Sequence, residues 1–211
     1  MSFAHVARTA LAGTLAICFY VAAGTAATAQ DAAGPPPLKL ASGVVSILGT
    51  SNVHEYTAST DQVRITRLQL GAGLSTPSFW DDLLKPGAVE AFEIAIPAAS
   101  LTSPKEGLDK NMHKALKVKE FVDITFRLVR LEPGVGGALK AIGMLKIAGV
   151  EREVAMAIKT QRSDTGLLVK GQLDLLMTDY GITPPKAMLG MLKTDPKVTV
   201  TFETVLTVPL T

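Results

Sequence analysis

The segment ITFRL, residues 124–128, alternates three apolar side chains with two polar ones. Alternation with a period of two is typical of a β-strand that has one buried face and one face in water. The same alternation recurs over residues 153–159, 167–177 and 198–203. Gly171 interrupts the second of these rows, and a glycine inside a strand often marks a bend that curls a sheet. The pattern predicts an all-β sandwich or barrel.

Short turns separate consecutive predicted strands at residues 132–134, 149–151 and 163–166. Turns of this length join antiparallel neighbours. Two stretches show helical spacing instead. We expect the first helix, over residues 107–118, to cover one end of the sheet. The second, over residues 185–192, places Met188 at a predicted mouth, where flexible methionines suit an adaptable apolar ligand.

Residues 1–29 have the layout of a cleavable secretory signal peptide. Arg8 precedes an apolar run over residues 9–23, and small residues lead up to Ala29. A transmembrane anchor of about 20 apolar residues is the alternative, but the glycines and threonines within the run favour cleavage. Cys18 could instead carry a lipid anchor, but it follows Ile17, which rarely precedes a lipidated cysteine. We therefore expect an exported protein with no stable membrane anchor after cleavage.

The mature chain is expected to contain a proline-rich linker, residues 30–37, and one domain, residues 38–211. Cys18 is the only cysteine of the sequence, so the mature chain has none. Disulfides, thiol catalysis and cysteine-bound metals are thereby excluded. Removal of Arg8 with the signal peptide leaves 20 of the 21 basic residues against 19 acidic ones. This near-neutral balance argues against nucleic acid as a partner.

Four local patterns occur in one order along the mature chain: GTSNVHEYT (49–57), FEIAIP with FVDITF (92–97 and 121–126), GMLKIAGV (143–150) and MTDYGITPP (177–185). Together they resemble the YceI family. The resemblance implies an eight-stranded antiparallel lipocalin-like barrel with one or two short helices, exported to the periplasm. It also implies that the barrel interior binds an isoprenoid chain, an isoprenoid quinone or a similar amphiphile such as a fatty acid. No cofactor is expected beyond that lipid.

Binding of such a ligand would depend on its tail, because each buried methylene contributes roughly 0.8 kcal/mol while a neutral hydrogen bond nets about 1 kcal/mol. The head group then needs few polar partners, and those at the rim that match the family patterns are Ser51, Asn52, His54, Asp179 and Tyr180. A slip of one residue would turn a strand's inward row outward. The side chains predicted to line the apolar pocket are Ile94, Ile96, Ile124, Phe126, Leu145, Ile147, Met156, Leu173, Leu175, Met177, Met188 and Phe202.

Several polar residues have both a functional and a plain structural interpretation. His54 could bind a head group or a metal, although a lone histidine on a strand is more often part of the hydrogen-bonded structure. Asp109 and His113 are four residues apart and could share a metal, but a solvated pair is the more common explanation. Residues 134–137 lack the spacing of a phosphate loop and fit a hairpin turn. Residues 81–82 are interpreted as an exposed turn. We predict no metal site.

The first functional hypothesis is a periplasmic carrier or store of a long-chain amphiphilic lipid. The second is an extracytoplasmic interaction domain whose barrel is packed with its own side chains. A continuous apolar cavity of several hundred cubic ångströms would favour the first over the second. The third is a lipid-modifying or hydrolytic enzyme, but the sequence has no Gly-x-Ser-x-Gly elbow, and we predict no catalytic residue. A homodimer is compatible with the sequence.

Overall fold

The computed structural model describes residues 38–72, 74, 78–163, 166–187 and 191–208. The predicted signal peptide, the predicted linker and Met188 lie outside these described residues. The division of the chain into signal peptide, linker and barrel domain therefore stays a prediction.

The described part of the chain forms a curled antiparallel sheet, as the alternation predicts. Nine strands follow the order β2-β1-β10-β8-β7-β6-β5-β4-β3, and a tenth, β9, pairs with β10 alone. The strands are β1 Lys39–Ser51, β2 Glu55–Thr60, β3 Arg64–Leu70, β4 Val89–Pro97, β5 Asp123–Pro133, β6 Leu139–Ile147, β7 Val150–Ser163, β8 Gly166–Leu176, β9 Lys186–Ala187 and β10 Leu192–Thr207.

The predicted count of eight strands is too low, mainly because residues 55–70 form two strands. β2 pairs with β1, whereas β3 pairs with β4, so these consecutive strands form the two edges of the sheet. A connection of only three residues, 61–63, joins them, and it therefore holds the two edges side by side. An isolated bridge from Ser59 to Thr102 also ties β2 to the segment after β4. The all-β lipocalin-like class is confirmed.

Two α-helices lie in the described part of the chain: α1, Phe79–Leu83, and α2, Glu106–Ala115. Helix α2 is the first predicted helix, and it begins one residue earlier and ends three residues earlier than expected. Its first turn carries Glu106 and its last turn carries Lys114, which complements the helix dipole. Among the described residues, no helix has the length and hydropathy that a membrane crossing requires.

Two predictions about local structure are wrong. Residues 81–82 belong to helix α1 and are not a plain exposed turn, because Phe79 and Leu83 on the same helix are buried against the sheet. The second predicted helix fails at its start, where Lys186–Ala187 forms β9 and pairs with residues 192–193 of β10. Pro184 and Pro185 have no backbone N–H to donate. The backbone of Lys186–Ala187 is paired with β10 instead of forming a helical turn.

The apolar core lies inside the curl and reaches both ends. We name the ends by their helices. At the α2 end the buried cluster consists of Leu101, Leu116, Ala148, Leu175, Tyr180, Ile182 and Val198. At the α1 end it consists of Leu38, Leu74, Phe79, Leu83, Leu167 and Leu206. Two smaller clusters lie between them, around Val45 and Ile96 and around Met156 and Ile158.

Glycines inside the strands make room for inward aromatic rings. A side chain at Gly171 would collide with the ring of Phe202, its direct partner across β8 and β10. A side chain at Gly143 on β6 would likewise collide with the ring of Phe126 on β5. The interruption of the row at Gly171 therefore reflects close packing of a ring on a bare backbone.

Candidate functional site: an apolar cavity inside the curled sheet

A cavity of about 230 Å³ runs inside the sheet, from Leu101 at the α2 end to Leu38 and Leu83 at the α1 end. Its volume is somewhat below the range of about 300–1,000 Å³ that is usual for small-molecule sites. Of the 33 described residues that line it, three are threonines and the others are apolar. A surface of this kind can shelter hydrocarbon from water, and it offers few partners to a polar group.

Strand register explains why these side chains meet. Ile94 on β4 pairs with Phe126 on β5, which in turn pairs with Leu145 on β6. Directly paired residues in an antiparallel sheet point to the same face. All three line the cavity. In the structure, Phe126 of the ITFRL segment therefore faces the interior, as the alternation predicts.

The structure places ten of the twelve predicted pocket residues in the wall of the cavity. Met177 is not among the lining residues. It opens the 3-10 turn that follows β8, so strand parity no longer sets its direction, and it packs against the cluster at the α2 end. Met188 lies outside the described residues. The role of these residues in binding stays a prediction.

Sequence reasoning missed the wall near the α1 end. Ile65 and Leu68 on β3 both line the cavity although they are three residues apart, because a register shift between Ile65 and Arg67 breaks the alternation. Leu83 is the last residue of α1 and Leu84 follows it, and this helix is too short to leave a periodic signal. Leu38, just before β1, and Leu40 on β1 do show alternation, and that signal could have identified them.

Three of the predicted head-group residues form a turn at the α2 end and do not line the cavity. The Ser51 hydroxyl donates to the backbone carbonyl of His54 at 2.8 Å and accepts from the His54 amide at 3.1 Å. The Asn52 amide group donates to the carbonyl of Met191 and accepts from the amide of Lys193, both at 2.8 Å. These contacts fasten the β1–β2 turn to the start of β10. The His54 side chain is exposed on that turn.

The other two predicted head-group residues lie together after β8 but differ in burial. Asp179 is exposed, and its backbone carbonyl accepts a hydrogen bond of 3.1 Å from Arg152 Nε. Tyr180 is only 3% exposed. Burial raises the pKa of the Tyr180 hydroxyl, and the negative charge of Asp179 adds to the rise. Tyr180 is thus a core residue of the α2 end, away from any solvent-exposed rim.

Other polar groups that allowed a functional interpretation are engaged in local structure. His113 Nε2 lies 2.8 Å from the carbonyl oxygen of Leu101. Because a carbonyl oxygen only accepts, Nε2 carries the proton and donates this hydrogen bond. Asp109 accepts a hydrogen bond of 2.8 Å from the Ser103 amide. The described residues contain no group of three metal-ligating side chains. Residues 135–137 form a 3-10 turn between β5 and β6.

Charged side chains occupy the outer face of the sheet. Lys170 and Glu203 pair at 2.8 Å across β8 and β10, and Lys197 pairs with Asp174 at 2.9 Å. Hydrogen bonds from Lys197 and then Thr199 lower the pKa of Asp174. No charged side chain is among the described residues that line the cavity. The fold therefore separates a charged exterior from an interior without charge.

Comparison with protein families gives a match over most of the chain. The sequence matches the YceI-like domain over residues 43–206, which includes most of β1, all of β2 to β9 and nearly all of β10. A comparison with curated protein sequences gives no significant match.

Solved structures share the fold at low sequence identity. The crystal structure of Burkholderia cenocepacia BcnA superposes with a TM-score of 0.61 at 13% identity, covering 77% of this chain and 95% of BcnA. A polyisoprenoid-binding domain from Saccharophagus degradans, implicated in plant cell wall breakdown, gives 0.59 at 16% identity, covering 82% and 99%. The Campylobacter jejuni YceI protein gives 0.53 at 13% identity, covering 77% and 85%.

Proposed function

Because the chain belongs to the YceI-like domain family, we propose that it binds a long-chain amphiphilic lipid of isoprenoid, isoprenoid quinone or fatty-acid type inside the curled sheet. The proposed role is to carry or store that lipid in the periplasm, without catalysing a reaction on it. The observation that carries the proposal is the apolar cavity that extends between the two ends of the sheet. The polyisoprenoid-binding domain with the same fold adds support.

The energetics of the cavity favour a hydrocarbon chain. Each methylene group that leaves water for the cavity contributes roughly 0.8 kcal/mol, so affinity should rise with the length of chain that the cavity encloses. The rings of Phe126 and Phe202 are part of the apolar wall that such a chain would contact. Met156 also lines the wall, and its flexible side chain can adapt to chains of different shape.

The alternative of an interaction domain packed with its own side chains requires a filled interior. The observed cavity of about 230 Å³ is smaller than the several hundred cubic ångströms expected of a carrier, but the interior is not filled by side chains, and this favours the binding function over that alternative. For an enzyme we would expect titratable groups converging on the cavity. Only three of its described lining residues, Thr125, Thr160 and Thr204, carry a polar side-chain atom. Binding without catalysis is therefore the function that this lining supports best.

The entrance for the ligand is proposed at the α1 end. Helix α1 has five residues, and a helix of that length is not stable without tertiary contacts. Its buried side chains, Phe79 and Leu83, hold it over the sheet. Arg162 on β7 reaches Asp81 of α1 at 3.6 Å, and both side chains are largely exposed, so this ion pair adds little. Displacement of α1 would uncover the cavity without breaking a strand.

Export to the periplasm rests on the sequence of residues 1–29, which precede the family match. In this proposal the signal peptide is cleaved after Ala29, residues 30–37 serve as a linker, and residues 38–211 form the binding domain. Isolation of the mature protein from a periplasmic fraction, with its amino terminus determined by mass spectrometry, tests this part separately.

Binding is tested by filling the cavity. Ala141 on β6 lines the cavity and is 4% exposed, whereas Ala155 on the neighbouring β7 points outward and is exposed. The Ala141→Phe variant should lose at least tenfold in affinity for a fluorescent long-chain probe, and Ala155→Phe should bind like the wild type. Thermal unfolding of both variants establishes that they are folded.

Mass spectrometry of an organic extract of the wild-type protein, purified from the periplasm, identifies the lipid. An extract without an amphiphile, together with equal probe binding by the two alanine variants, would contradict the proposed function.

A further inference from the structure

Three phenylalanine side chains are the bulkiest groups in the cavity wall. Among the described residues that line the cavity, Phe92, Phe126 and Phe202 are the aromatic ones. Phe126 on β5 and Phe202 on β10 both pack against the buried cluster around Met156 and Ile158, which lies between the two ends of the sheet. These two rings therefore occupy the middle of the interior, where they take up space that a ligand would otherwise fill.

Each of these two rings packs on a glycine of a neighbouring strand. The ring of Phe126 lies on Gly143 of β6, and the ring of Phe202 lies on Gly171 of β8. Both glycines occupy inward positions of their strands, since the residues two before and two after each of them line the cavity. A side chain at either glycine would displace the ring towards the centre of the cavity. The glycines therefore keep space free inside the sheet, and the rings limit that space.

The volume of the cavity limits how much of a hydrocarbon chain fits inside. An apolar cavity of about 150 Å³ in another protein accommodates benzene, which has six carbons. Scaled by volume, the cavity of about 230 Å³ accommodates about nine carbons. Most of a long isoprenoid chain must then remain outside the cavity, at the α1 end where the entrance is proposed.

We propose that Phe126 and Phe202 determine the length of chain that the protein encloses, and that this length is about nine carbons. The enclosed part of the ligand is a single chain of medium length. Carbons beyond it stay in contact with water and add little to affinity, because only a methylene group that leaves water contributes. This inference rests on the proposed function, and it specifies the size class of the enclosed chain and the two residues that set it.

The test measures the affinity of straight-chain 1-alkanols, from hexan-1-ol to hexadecan-1-ol, by displacement of a fluorescent apolar probe. In the wild-type protein each added methylene group should raise the affinity about fourfold until the chain has about nine carbons. Beyond this length, which we call the break, the affinity should become nearly constant. A constant gain in affinity through hexadecan-1-ol would overturn the proposed limit.

Variants of the rings and of their glycines should move the break in opposite directions. Phe202→Ala and Phe126→Ala should each move it to longer chains, by up to about six carbons, the number in the phenyl ring that is removed. Gly171→Ala should move it to shorter chains, because the added methyl group displaces the Phe202 ring. Phe121→Ala is the matched control, since Phe121 also packs on a glycine, Gly149, but is not among the described lining residues. It should leave the break unchanged.

Thermal unfolding establishes which variants are folded. If Phe202→Ala does not fold, Phe202→Leu provides the same comparison with a smaller expected shift of the break. A break that stays at one length in the folded Phe202 variant, or that moves equally in Phe121→Ala, would overturn the role of the ring. If the wild-type protein binds none of the alkanols, the proposed function itself fails, and this outcome is distinct from binding without a break.

Discussion

The two ends of the curled sheet are closed by different means. At the α2 end Met112 of the helix packs against the buried cluster, which includes Leu116 just after the helix, and hydrogen bonds reinforce the packing. His113 Nε2 donates to the Leu101 carbonyl, and the Thr60 hydroxyl is 2.7 Å from that of Ser100. This end therefore combines apolar packing with polar contacts to the segment between β4 and α2.

At the α1 end most polar contacts stay within the helix segment. Asp82 accepts hydrogen bonds from Ser78 at 2.5 Å and from Lys85 at 2.7 Å, so they stiffen α1 without attaching it to the sheet. Among the described residues, Arg162 to Asp81 is the ion pair between α1 and a strand. Attachment depends mainly on the apolar side chains of Phe79 and Leu83. The α1 end thus has fewer polar contacts to the rest of the domain than the α2 end has, and this difference is why the entrance is proposed there.

Matched leucine truncations should separate the two ends most clearly. Leu101 is 1% exposed at the α2 end, and Leu83 is 3% exposed at the α1 end. Leu101→Ala should lower the free energy of unfolding by about 2–5 kcal/mol and Leu83→Ala by less, because α1 can shift to close the space. Leu83→Ala should in turn speed release of a fluorescent long-chain probe. Denaturant unfolding and stopped-flow release measure both effects, and faster release from Leu101→Ala alone would reverse the assignment of the entrance.

Removing a polar contact should also cost more stability at the α2 end than at the α1 end, but both costs should be smaller than those of the leucine truncations. His113→Phe removes the hydrogen bond to the Leu101 carbonyl and should cost about 1 kcal/mol of stability. Asp81→Asn at the α1 end should cost well under 1 kcal/mol, since the ion pair it weakens is exposed. Raising the salt concentration should reduce the effect of Asp81→Asn and leave that of His113→Phe unchanged. Equal costs for the two variants would remove this difference between the ends.

Alkaline pH should weaken the α2 end. The pKa of Tyr180 is raised in the folded protein, mainly by burial, so above about pH 10 the unfolded chain loses the tyrosine proton more readily than the folded one. Stability is then lost as pH rises. Tyr180→Phe should lessen this loss, which unfolding measured between pH 9 and 11 would detect, while Tyr56→Phe monitors the other tyrosine with a raised pKa.

Acid should loosen the α1 end, with the smallest effect of the four. Hydrogen bonds from Lys85 and then Ser78 lower the pKa of Asp82 in the folded protein. The stabilisation is present above the ordinary carboxyl pKa of about 4 and is lost as pH falls through the lower folded value. Probe release should therefore become slightly faster below about pH 4. The Asp82→Asn variant should show less of this acid dependence, and an identical pH profile would argue against the role of Asp82.

Much of the cavity wall could be predicted from the sequence, because strand side chains repeat every two residues. Phe126 and Arg127 show this directly, since the Phe126 ring lines the cavity and Arg127 is exposed. Near the α1 end the prediction was incomplete, because a register shift in β3 and a five-residue helix leave no regular period. The helix predicted at residues 185–192 failed where β10 offered backbone partners to Lys186–Ala187.

The amino-acid sequence by itself determined the class of sheet, its inward rows and the apolar character of its interior, because these follow from local alternation and turns. Only the tertiary structure decided which strands form the edges, which helix covers each end, and that Tyr180 is buried while Asp179 beside it is exposed. The physical reason is that successive side chains of a strand point to opposite faces of the sheet, so the inward row follows from neighbouring residues along the chain. Closure of the barrel depends instead on contacts between residues far apart in sequence.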